Sequence, residues 1–111
     1  MSSSINIPQL VQSMLGAASG AAKGHGEDLK NYLEAQAKLI AEGVAAIARD
    51  RLANIMTDDD VRFAFDEIKR SENADRAALA VTVKAAAQDA INAVLNVAAS
   101  AVNSAVGVAI L

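Results

Sequence analysis

The chain contains no cysteine and no tryptophan, one proline, one histidine and only three aromatic residues, Tyr32, Phe63 and Phe65. The missing thiols exclude disulfides and thiolate metal sites, and they leave the redox compartment open. His25 stands between two glycines without a second histidine or a Glu-x-x-His motif, so neither a zinc site nor a di-iron bundle is expected. Base-stacking aromatics are nearly absent, Lys and Arg are interleaved with acids, and the net charge is −3, which argues against a nucleic-acid partner. Gly16-Ala17-Ala18-Ser19-Gly20 lacks the Lys-Ser/Thr that completes a phosphate loop. Ser-His-Asp chemistry needs a scaffolded pocket that a small helical chain does not offer. The expectation is a protein that is not an enzyme, takes no metal or cofactor, and has no small-molecule substrate.

Charge is also missing from both ends. Nothing before Lys23 and nothing after Asp89 is Asp, Glu, Lys or Arg. Residues 90–111 are mostly Ala, Val, Ile and Leu, with Asn92, Asn96, Ser100, Asn103 and Ser104 spaced to share one side of a helix. A helix that is apolar around most of its circumference must be buried in protein or in lipid. Hydrophobic residues make up 53% of the chain, yet Ala supplies 26 of the 111 residues. Alanine removes little surface from water but lets helices approach closely. At this length there is room for one domain. That composition suits extended helix packing completed by association between copies of the chain. No basic stretch precedes the first apolar residues, so synthesis without a secretory signal peptide is expected, in the cytoplasm.

Along the chain, residues 1–6 read as a polar arm, and Pro8 suits the first turn of a helix, where its missing N–H is not needed. Leu10, Met14 and Ala18 recur at helical spacing. Gly16, Gly20 and Gly24 fall every fourth residue, which reads either as a close-contact seam or as a flexible joint. The Gly24-His25-Gly26 triplet predicts a break. From Glu27 a second helix carries Leu29, Leu33, Gln36, Ile40, Val44, Ile47, Arg51 and Ile55 on one stripe, with an eleven-residue repeat that gives little or right-handed supercoil. Thr57 or Asp58 then caps a new helix, with Asp58, Asp59 and Asp60 at its positive end. A cation site there is the weaker reading, because consecutive side chains at a helix start diverge. Arg51 is the charged misfit of its stripe: it either snorkels to water or pairs with Asp66 or a neighbouring subunit. Ser71 or Asn73 could cap a fresh helix, but the i,i+4 pairs Asp66 with Arg70 and Glu72 with Arg76 favour one helix running on from residue 58.

The architecture expected is all-α: an extended antiparallel helical hairpin with a short N-terminal helix, packing into a multi-subunit helical assembly. Residues 1–26 form an uncharged arm and helix with a Gly-rich joint, 27–89 a charged hairpin turning at 57–58, and 90–111 an uncharged apolar helix. In such a hairpin position i faces about 118 minus i, which brings Glu34 to Lys84, Glu42 to Arg76, Lys30 to Asp89 and Asp50 to Lys69. Both uncharged segments then leave from one end, each about 30 Å long.

The residues expected at an oligomer interface are Leu10, Met14, Gly16, Gly20, Gly24, Val94, Val97, Ala101 and Val108. The function expected is a non-enzymatic self-assembling structural subunit of a filament, tube or ring, such as a virion, injection-machine or surface-filament component. The alternative is a membrane-inserting oligomer, holin-like, pilin-like or pore-forming, that uses residues 5–22 and 90–111 with its Asn/Ser stripe turned inward. A third reading is a small soluble adaptor with an ordinary bundle core.

Overall fold

The first helix, α1 (Ile7–Ala22), begins as its sequence dictates: Pro8 lies in the first turn, and Asn6 Oδ1 accepts a hydrogen bond from the Gln9 amide at 3.0 Å. It is followed by α2 (Gly26–Leu52), α3 (Asp58–Arg76) and α4 (Val81–Val106). This computed structural model describes residues 5–24, 26–77, 79 and 81–111, and helix is the regular structure among them. The start of the polar arm and His25 lie outside the described residues. The break at the glycine triplet is present, with Gly24 at φ 86° and Gly26 at φ 79°, backbone that only glycine adopts without strain.

The helices pack together, with α1 lying along α4 and α2, and α2 lying along α4. α3 packs on α2, touches α4 lightly and does not reach α1. Short turns make successive helices alternate in direction. Accordingly Arg62 near the start of α3 meets Ile110 beyond the end of α4, and the start of α1 lies beside Ala101 and Ser104. The core is drawn from every helix: Leu10 and Met14 from α1, Leu33, Ile40 and Val44 from α2, Val61 and Phe65 from α3, and Ile91, Val94 and Val102 from α4. Ala18, Ala37, Ala41, Ala87, Ala90 and Ala98 are also buried, so the alanines let the helices approach closely within one chain.

This corrects the expected rod. The longest dimension is 43 Å, and α2 alone accounts for about 40 Å of helix. Free uncharged tails beyond a hairpin would add about 30 Å more. Both segments instead fold back beside the charged helices, because their apolar faces bury one another. The second helix also stops early. Asn54 adopts φ 61°, ending α2 at Leu52, with the Ile55 and Met56 amides bonded back to the Asp50 carbonyl. Ile55 therefore leaves the stripe and stands exposed. With the turn moved earlier, Gly43 lies against Ile68 and Gln36 against Glu72, a slip of about two to three turns from the expected register. None of the four expected cross-helix ion pairs forms among the described residues.

Nor does a single helix run from residue 58 to the end. α3 stops at Arg76 and α4 starts at Val81. The i,i+4 pairs are replaced by Arg70 with Glu67 at 2.6 Å and by Arg76 donating to Asn73. α4 itself ends at Val106, where Gly107 takes φ 82°. The last residues turn back to bury Ile110. Asn103 holds them: its Oδ1 accepts from the Ile110 and Leu111 amides, each at 2.9 Å, and its Nδ2 donates to the Leu111 carbonyl at 3.1 Å. Asn103→Ala should therefore free this hook and lower stability by about 1–3 kcal/mol. Chemical denaturation of the two proteins checks it, and an unchanged midpoint would mean that the hook contributes nothing.

Candidate functional site

At one end of the bundle the α2–α3 turn, the first turns of α3 and the segment after α4 come together. The acidic run is fully used there. Thr57 Oγ1 accepts from the Asp60 amide at 3.1 Å, and Asp60 Oδ2 accepts from the Thr57 amide at 2.9 Å, a capping box. Asp58 pairs with Arg51 at 2.7 Å, and Asp59 pairs with Arg62 at 2.8 Å. Arg51 thus finds its partner in Asp58, not in Asp66. Each acid is thus committed to a cap or to an arginine, and no group of three metal-ligating side chains occurs among the described residues. Leu52, Ile55, Phe63 and Val108 belong to the segments at this end and stand 39%, 71%, 64% and 51% exposed. They are four of the five exposed large apolar residues among those described; the fifth, Leu39, lies in the middle of α2.

The polar stripe of α4 divides. Asn92, Asn96 and Ser100 form one wall of a groove whose other wall is Arg62, Asp66, Lys69 and Asn73 of α3. The Lys69 ammonium lies 5.3 Å from the centre of the Phe65 ring. Asn103 closes the groove as the C-terminal clamp, while Ser104 faces the start of α1 beside Ala101. A second groove, of about 440 Å³, runs between α1 and α2 over Leu15, Ala18, Ala22 and Leu33, with Lys23 and Lys30 at its edge.

Of the expected interface residues, Leu10, Met14 and Val94 are buried in the chain's own core. Val97 and Ala101 pack partly buried against it, and Val108 is exposed. Gly16 and Gly20 face outward, where an added Cβ would meet nothing within 4 Å. Gly24 lies outside α1, in the turn, so the three-glycine seam is reduced to two positions.

One cluster is absent from the sequence-derived candidates. Glu72 of α3 is only 3% exposed, the one buried charged residue among those described. Gln36 Nε2 donates to Glu72 Oε2 at 2.6 Å, to Glu72 Oε1 at 3.2 Å and to Asp75 Oδ2 at 3.3 Å; the reverse amide orientation would set its oxygen against carboxylate oxygens. The Tyr32 hydroxyl is buried nearby without a hydrogen-bond partner among the described residues. Burial pushes the Glu72 carboxyl up to about 7, with Asp75 adding to the rise and Arg76 opposing it. Burial likewise raises the Tyr32 phenol to about 12, helped by Glu72 and Asp75 and opposed by Arg76. The signal was present in the spacing: Val61, Phe65, Ile68 and Glu72 continue one helix face, and Gln36 interrupts the apolar stripe opposite. No family model, curated protein or solved structure matches the chain.

Proposed function

We propose that this protein is a non-enzymatic, self-assembling helical structural subunit, a unit of a filament, tube or ring built from copies of the chain. The observation that carries the reading is the set of exposed Leu52, Ile55, Phe63 and Val108 at one end of a bundle whose core is otherwise closed. The outward Gly16 and Gly20 face of α1 offers a second close-approach surface, as a linear assembly requires. This reading keeps Val108, Gly16 and Gly20 of the expected interface, while Leu10, Met14 and Val94 are buried inside the chain.

Light scattering on the purified protein is the test. The wild type should be several times larger than the 11.4 kDa chain without detergent. Ile55→Lys combined with Phe63→Lys should weaken association at least about a hundredfold while leaving helicity unchanged. A wild type that stays monomeric at high concentration would overturn the proposal and favour the soluble-adaptor reading. The membrane alternative has less behind it: no helix among the described residues is long and apolar enough to cross a bilayer.

A further inference from the structure

The α2–α3 interface places a carboxyl group where apolar anchors precede it. Val61, Phe65 and Ile68 dock α3, and its next inward position is Glu72. Ile68 fits over Gly43, where an added Cβ would come within 3.2 Å of its Cδ1, so α3 lies close to α2 at that point. Below it the interface turns polar, with Tyr32 and Gln36 on α2 facing Glu72, Asp75 and Arg76 on α3. α4 carries only Lys84 and Asp89 as charged residues, and neither forms an ion pair among those described. α1 does not touch α3. Glu72 makes no salt bridge with Arg76.

We propose that this interface is a proton-operated latch: α3 is held tightly while Glu72 is protonated and is loosened when Glu72 ionises. Gln36 serves both states. With Glu72 ionised, its amide nitrogen donates to the carboxylate. With Glu72 protonated, the amide turned over accepts the carboxyl proton across the same 2.6 Å, a normal O–H···O length. The difference lies in desolvation: the neutral carboxyl is tolerated in the interface, whereas the anion also meets Asp75 and has no cation bonded to it. α3 is the element that yields, because it packs mainly on α2, touches α4 more lightly and does not reach α1.

The direction in pH follows. The folded carboxyl titrates at about 7 against 4.5 for the free group, so the docked state holds an extra proton between those values. Docking is tightest below pH 4.5, weakens as pH rises toward 7, and stays weak above it.

Backbone hydrogen exchange, corrected for the intrinsic rate at each pH, tests the latch on the full chain. Protection of α3 amides should fall at least about tenfold between about pH 5 and pH 8, while α1 and α4 hold theirs. Glu72→Gln keeps the shape without the ionisation and should remove the pH dependence. A side-chain carboxyl titration by NMR gives a reading independent of any variant, with a midpoint near neutrality expected. Equal loss of protection in all four helices, pH-dependent α3 protection persisting in Glu72→Gln, or a Glu72 midpoint below about 5 would each overturn the proposal.

Discussion

Val94→Asp is expected to unfold the chain, whereas Val108→Asp is expected to leave it folded and, on the proposed assembly, to weaken only association between copies. The two valines belong to the same uncharged C-terminal stretch and look equivalent in sequence. Val94 is fully buried among side chains of the core, and no cation among the described residues lies in that core to pair with an aspartate. The substitution removes an apolar side chain and places an unpaired carboxyl at a fully buried position. Together these cost about 4 kcal/mol or more, comparable to the whole stability of a small domain. Val108 lies beyond α4 at 51% exposure, where an added charge remains solvated. Circular dichroism and thermal melting separate the outcomes. A cooperative melt for Val94→Asp near the wild-type temperature would show that this core is not the one described.

Met14→Ala should be the next most damaging single change, lowering stability by about 2–5 kcal/mol. Only Leu10, Met14 and Ala18 of α1 are buried, and Met14, at 0% exposure, is the largest of the fully buried side chains. α1 has no charged residue and no ion pair to hold it. Its attachment rests on this apolar row against α4 and α2, with Ile7, Val11 and Leu15 packed partly buried beside it, so a cavity at Met14 weakens the centre of the contact. Urea denaturation, with exchange protection read separately for α1, checks the magnitude and the place. A loss below about 1 kcal/mol would mean that the site collapses around the smaller side chain.

Part of the candidate surface could be read in the residues. Thr57-Asp58-Asp59-Asp60 marks a helix start whatever surrounds it, since capping is a local hydrogen-bond pattern. Ile55 could not be read the same way. It continues the apolar stripe in sequence, and only the left-handed turn at Asn54 places it outside the helix and in solvent. Glu72 is the reverse case, a charge with favourable local pairing to Arg76 that tertiary packing turns inward.

The sequence by itself determined that the chain is helical, where the helices begin at Pro8 and Thr57, and that the glycines at 24 and 26 and the acidic restart interrupt them. These follow from interactions within one turn of backbone: caps, proline geometry, glycine's access to positive φ and the spacing of apolar residues. The tertiary structure alone decided the rest. Ala77 and Leu79 lie in a segment that favours helix, yet the chain breaks there. No local residue compels that break. α4 must reverse there to bury Ile91, Val94, Leu95 and Val102 against α1 and α2. Burying several large apolar side chains contributes more than the few helical hydrogen bonds given up at the turn. For the same reason the uncharged ends, which in sequence resemble surfaces for other molecules, became each other's core.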